Sequence, residues 1–169
     1  MKKVAILIGS DSDLPSVSDA VSQLKDFDIP YEAHIISAHR TPHEAERFAG
    51  NAAANGFGVI IAAAGKAAHL AGSVAAHTTM PVIGLPIKSS MMDGLDSLLS
   101  TVQMPSGVPV ATVAVGGAQN AAILAAQIIG VYDADIAEKL SSFKAGMADS
   151  VRAKDRALQE KIANSGSVV

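Results

Sequence analysis

Cysteine and tryptophan are absent from the 169 residues, and the aromatic set is two Tyr and four Phe. Without Cys there is no disulfide, no thiol nucleophile and no Cys-based zinc site, so catalysis must come from other side chains. That absence also fits a reducing compartment. With 4% aromatics there is little for base stacking, and a net charge of −3 gives no footprint for a phosphate backbone, so no nucleic acid is expected as a partner. Charged residues are scarce too, at 17% against about 25% in typical domains, whereas 49% of the chain is apolar. Some of that apolar surface is expected to lie between subunits of a homo-oligomer. No run approaches the ~18 apolar residues of a membrane span. The apolar run within the first ten residues ends at Gly9, too early for a signal-peptide core and cleavage site. A cytoplasmic protein with no membrane partner is expected. No Gly-x-Gly-x-x-Gly, P-loop or His-Glu-x-x-His occurs, so nicotinamide, nucleoside triphosphate and zincin chemistry have no motif to rest on.

What is present is a regular alternation of buried strands and helices. Val4 to Ile8 is an aliphatic run closed by Gly9, and Leu14, Val17, Ala20, Val21, Leu24 and Phe27 then recur at helical spacing. Ile29 to Ile36 reads as a second strand. Thr41-Pro42-His43-Glu44 sets a capping residue, a Pro and a Glu at the start of a helix, with Ala45, Phe48, Ala49 and Ala52 as its buried face and a left-handed stop at Asn55-Gly56. Val59 to Ala63, Pro81 to Leu85 and Val110 to Val115 are expected as strands three to five, each doubly buried, with helices over about 66–78, 91–102 and 117–130. This order predicts an α/β fold: a doubly wound parallel sheet in a three-layer αβα sandwich, most simply of flavodoxin-like order. Ile136, Leu140, Phe143 and Met147 predict a last helix from Asp133 to about Lys161, lying on its own subunit or on a neighbour. One domain over 1–162 is expected, with 163–169 as a frayed tail.

In doubly wound sheets, ligands bind beyond the carboxyl ends of the strands. The loops after strands 1, 2 and 3 are therefore the place to search. Gly9-Ser10-Asp11-Ser12-Asp13 could receive an anion at a helix start, could simply cap that helix, or could offer an Asp-x-Asp metal pair. A carboxylate repels phosphate, so Asp13 suits sugar hydroxyls better. In the second loop, Arg40 can bind phosphate through a planar fork of donors and Ser37 adds a hydroxyl. His39 beside them is either a turn residue on the surface or a proton carrier near neutral pH. After strand 3, Gly65, Lys66 and His69 could border a site. The small residues there would admit a ligand or another stretch of backbone.

Five blocks in order, Gly9-Ser-Asp-Ser-Asp13, Ser37-Ala-His-Arg-Thr-Pro42, Ala67-Ala-His-Leu70, Asp93-Gly-Leu-Asp-Ser97 and Val102-Gln-Met-Pro-Ser-Gly-Val-Pro109, resemble the bacterial N5-carboxyaminoimidazole ribonucleotide mutases of purine biosynthesis. The resemblance runs from about residue 3 to residue 145. It implies an octamer of flavodoxin-like subunits, a C-terminal helix reaching a neighbouring subunit, and carboxyl transfer from the exocyclic nitrogen to C4 of the imidazole without cofactor or metal. By motif, Ser10, Ser37 and Arg40 would hold the ribose 5'-phosphate, Asp13 the ribose hydroxyls, and His39 would be acid and base. Gly65, Lys66 and His69 would border the imidazole and its carboxylate. Ala63 and Lys66 stand where many members have Gly, and Ala71 where Pro is common. Lys66 also raises the related carboxylase branch, which uses free carbon dioxide, whereas Arg40 and Ala67-Ala-His-Leu70 side with the mutases. A binding or receiver module with an acidic first loop is the reading from a different class.

Overall fold

The computed structural model describes residues 1–90 and 92–165. Five parallel strands form one sheet in the order β2-β1-β3-β4-β5: β1 (Lys3–Ile8), β2 (Tyr31–Ile35), β3 (Phe57–Ala64), β4 (Val82–Pro86) and β5 (Ala111–Thr112). Among the described residues six α-helices accompany them: α1 (Ser18–Asp26), α2 (Pro42–Asn51), α3 (Leu70–Ala75), α4 (Leu95–Val102), α5 (Ala118–Gly130) and α6 (Ala134–Ser165). This is the flavodoxin-like order expected from the alternation. No helix among the described residues is long and apolar enough to cross a membrane.

Side chains alternate across a strand, so the sheet divides the interior into two cores. Val4, Ile6 and Ile8 of β1, with Val59, Ile61 and Ala63 of β3, pack under α1 and the Ala-rich face of α5. Ala5, Leu7, Ile60 and Ala62 face the other way, against Ala45 and Ala49 of α2 and Leu70, Ala71 and Val74 of α3. On this second side α4 comes so close that a Cβ at Gly84 would overlap the Thr101 methyl.

Several boundaries depart from the expected ones, each for a local reason. The first helix is split: a 3-10 segment, Asp11–Val17, precedes α1, because Pro15 lacks an N–H and the Ser10 and Asp11 side chains take the Ser12 amide. Leu14, counted above as core, is consequently exposed. Thr41 does begin α2, yet its hydroxyl does not cap it. The hydroxyl accepts from the Ser37 N–H at 3.0 Å and donates to the Ser37 carbonyl at 3.1 Å, closing the turn that precedes the helix.

The fifth strand shrinks to Ala111–Thr112 and is not doubly buried, because it forms the sheet's outer edge and pairs only with β4. Helix α3 is shorter than expected, since Lys66 at φ 55° and a tight turn from the His69 N–H to the Ala67 carbonyl come before it. The expected start of the fourth helix, Met91, lies outside the described residues. The helix begins at Leu95, after Gly94 at φ 98°. Helix α6 runs on to Ser165, beyond the expected end; residues 166–169 of the proposed tail lie outside the described residues. Its first turns bury Ile136 and pack Leu140 and Phe143 against the core, whereas Lys144 to Lys161 are exposed throughout.

Gly94 is where backbone conformation and space both demand glycine, because a Cβ there would also overlap Val115 Cγ1. Gly94→Ala is expected to lower stability by about 1–3 kcal/mol in denaturant unfolding, through left-handed strain and overpacking. An unchanged midpoint would contradict this account of the turn.

Candidate active site

Parallel strands in this order bring four loop starts to one sheet edge. A hollow of about 500 Å³ opens there. Its first wall is Gly9, Ser10, Ser12 and Asp13; its second is Ser37, Ala38, His39 and Arg40; its third runs from Ala64 to Ala67 and includes His69 and Leu70. All eight residues singled out from the sequence, Ser10, Asp13, Ser37, His39, Arg40, Gly65, Lys66 and His69, line this one hollow. The fourth wall, Ile87, Lys88, Ser89 and Ser90 after β4, was outside the three loops searched. Its signal was a Lys-Ser-Ser run directly after an aliphatic strand, at the same edge.

The second loop is a tight turn. The Ser37 hydroxyl accepts the Arg40 backbone N–H at 3.2 Å, and the Thr41 N–H donates to the Ser37 carbonyl at 2.8 Å. This folds Ser37 and Arg40 to the same rim and turns His39 toward the third wall. There His39 Nε2 lies 2.7 Å from His69 Nδ1, with the rings edge to face at a centroid separation of 4.8 Å. One nitrogen must carry the proton and the other the lone pair, so each ring fixes the other's tautomer and orientation. The pair joins residues thirty positions apart and bridges the loops after β2 and β3. The other histidines work elsewhere: His34 stacks on Phe48 near Glu32, His43 faces Glu46, and His77 Nδ1 meets the Ser73 carbonyl at the end of α3.

In the first loop the Ser10 hydroxyl donates to the Asp11 carboxylate at 3.0 Å and lies 3.0 Å from the Ser12 hydroxyl. Ser10 and Asp11 share the local capping work, both accepting the Ser12 N–H. Asp13 faces the hollow instead. Burial pushes its carboxyl above the ordinary value of 3.8, and the Asp11 charge adds to this; hydrogen bonds from the Ser10 backbone and the Ser12 side chain oppose it.

On the third wall, Lys66 holds a left-handed backbone that glycine adopts without strain. No ion pair engages its ammonium among the described residues, whereas Lys88 opposite is paired with Asp93 at 2.6 Å. Of the two uses foreseen for the small residues here, close approach of another stretch of backbone is seen at Gly65. Gly65 lines the hollow while its backbone packs against Ile87, and Gly72 makes room for Met104. Among the described residues no three His, Asp or Glu side chains are grouped to hold a metal ion.

The carboxyl of Asp13 is easier to protonate in the folded chain than in the unfolded one. Its ionised form therefore costs stability, and that cost grows as pH rises from about 3.8 through the raised value. Asp13→Asn is expected to raise the melting temperature at pH 7, with the gain shrinking toward zero below pH about 4. A lower melting temperature at neutral pH would contradict this electrostatic reading.

Comparison with known proteins agrees with this geometry. Residues 3–150 match the family model described as AIR carboxylase. A protein of Mycobacterium leprae named N5-carboxyaminoimidazole ribonucleotide mutase is 53% identical over 157 residues, 93% of this chain and 92% of that protein. A Saccharomyces cerevisiae protein named phosphoribosylaminoimidazole carboxylase is 51% identical over 92% of this chain, which spans 27% of that longer protein. The crystal structure of Treponema denticola PurE superposes with a TM-score of 0.84 at 33% identity, covering 92% of this chain and 97% of that one. With its five motif blocks in place, its strand order shared and its four-walled hollow at the sheet's carboxyl edge, the chain belongs to the AIR carboxylase family.

Proposed function

We propose that the chain converts N5-carboxyaminoimidazole ribonucleotide to 4-carboxy-5-aminoimidazole ribonucleotide, an intramolecular carboxyl transfer in purine biosynthesis. The observation that carries this is the hydrogen-bonded pair His39–His69, set in one hollow with the hydroxyls and guanidinium suited to a sugar phosphate. The naming of the Mycobacterium leprae relative supports the same reaction. Ser10, Ser37 and Arg40 hold the 5'-phosphate, Arg40 through its planar fork of donors. Asp13 accepts from the ribose hydroxyls. Gly65, Lys66 and His69 border the imidazole, and the Lys66 ammonium, which no ion pair engages among the described residues, answers the migrating carboxylate.

Protonated His39 gives its proton to N5 as the N–C bond of the carbamate breaks, leaving a free amine and carbon dioxide. The enamine-like C4 then attacks the confined carbon dioxide and forms the C–C bond. Neutral His39 removes the C4 proton, which restores the aromatic ring and the starting imidazolium, so no net proton is consumed. No cofactor, metal or nucleotide triphosphate enters the step. The enzyme's contribution is confinement, orientation and a reusable proton.

We assign the chain to the cytoplasm and to a homo-oligomer, an octamer in line with the resemblance. The exposed Met147, Val151 and Leu158 of α6 support a second copy as the partner of that helix. Direct carboxylation of aminoimidazole ribonucleotide is the second reading. It is favoured by Lys66 and by the name of the yeast relative, and saturable activity at low bicarbonate would single it out.

Purified protein is expected to isomerise the N5-carboxylated ribonucleotide without ATP or added bicarbonate. His39→Asn is expected to lower turnover by about 10²-fold or more while leaving ribonucleotide binding in place. Near-normal turnover of that variant would overturn the assigned acid and base.

A further inference from the structure

Two of the five motif blocks remain without a task, Asp93–Ser97 and Val102–Pro109. Asp93-Gly-Leu-Asp-Ser97 and the following turn of α4 lie outside the hollow, yet this helix is built in an unusual way. Its inward face carries Ser97 and Thr101, 0% and 2% exposed, whereas Leu95, Leu99 and Val102 remain 46–47% exposed. A buried hydroxyl costs free energy unless it is hydrogen-bonded, so the partners of these groups show what the inward face does.

Every polar side chain from Asp93 to Ser100 reaches a wall of the hollow. Asp93 pairs with Lys88 at 2.6 Å, and the Asp96 carboxylate accepts the Ser89 hydroxyl at 2.8 and 2.9 Å. Ser97 donates to the Ile87 carbonyl at 2.7 Å and is also 2.9 Å from the Gly94 carbonyl. Ser100 reaches the third wall as well. Its hydroxyl accepts the Ala68 N–H at 3.0 Å, and its single proton lies within reach of the Asp96, Ser97 and Lys66 carbonyls at 2.8, 3.2 and 3.3 Å. The two walls also hold each other, since the Ile87 N–H donates to the Ala64 carbonyl at 2.9 Å.

We infer that Ser100, with Asp96 and Ser97, is a positioning residue: the start of α4 is a clamp that sets the gap between the walls after β3 and β4. None of these side chains needs to touch substrate. They act on Lys66, on the turn leading to His69, and on Ser89. This inference rests on the proposed carboxyl transfer, because its consequence is confinement. With the clamp loosened, carbon dioxide released in the first step escapes before C4 captures it, and free aminoimidazole ribonucleotide accumulates.

Ser100→Ala removes the acceptor of the Ala68 N–H, and Ser100→Thr restores a hydroxyl. In Ser100→Ala, turnover per folded enzyme is expected to fall, up to about 10²-fold, with KM little changed because the phosphate grip lies on the other two loops. The ratio of decarboxylated by-product to C4 product is expected to rise, and Ser100→Thr to bring both back toward the parent values. A merely structural serine would lower the folded fraction and leave that ratio alone. Asp96→Ala, which frees Ser89 from the same helix, is expected to behave like Ser100→Ala and carries the test if that variant does not fold. A parent enzyme without turnover would overturn the carboxyl-transfer reading and this inference with it. Parent turnover beside an unchanged by-product ratio in the variants would overturn the inference alone.

Discussion

The parallel pairing of β1 with strands on both sides is the constraint on which the rest depends. Val4–Ile8 is almost completely buried and aligns Ile8 with Ile35 on one side and Ala63 on the other. Adjacent strands lie about 4.8 Å apart, so the chain leaves three neighbouring strands at nearly one point, all at the same edge. Residues far apart in sequence thus become walls of one hollow. The His39–His69 bond then spans the end of β1, joining the loops of the two strands that flank it. The fourth wall follows from the register of β3 on β4, which ends at Ala64 opposite Pro86.

Among the described residues, two of the three non-glycine positions with positive φ lie at this edge; the third, Asp28, is in the turn between α1 and β2. Lys66 and Asp93 both hold left-handed backbone, and Asp13 keeps a carboxyl where burial disfavours its charge. Such features persist where the surrounding structure over-determines them, and they cluster at sites that bind or react. Here the surroundings are visible: β1 and the split first helix hold Asp13, while α4 holds the turns at 66–68 and 87–89. The polar inward face of α4 and the strained third wall are two sides of one arrangement.

Much of this was legible in the sequence, for reasons that differ by element. The aliphatic runs at Val4–Ile8 and Val59–Ala63 are central strands buried on both faces, so pattern and structure coincide. Val110–Val115 has the same appearance, yet its position at the sheet's edge leaves it exposed and short, and no local pattern encodes which strand is outermost. Pro42 marked its helix start correctly, but the Thr41 hydroxyl had a nearer partner in Ser37 than the helix N–H groups a capping motif assumes. The eight residues singled out from the sequence line one hollow because their loops follow the first three strands. Lys88, Ser89 and Ser90 line it too, because the physical rule for the first three strand ends holds equally for the fourth. The His39–His69 contact needed three dimensions, as did the role of α4, whose Leu95 and Leu99 face outward against the usual expectation for a helix on a sheet.

The central claim is that the hollow confines a migrating carboxyl group while one histidine moves the proton. The most direct test follows that carboxyl: substrate labelled with ¹³C at the N5-carboxylate, turned over by the intact protein in unlabelled bicarbonate without ATP. The account expects the label to be retained in the C4-carboxylate of the product. A product carrying carboxylate equilibrated with the bulk bicarbonate would contradict it, and would place the chain with enzymes that draw carbon dioxide from solution.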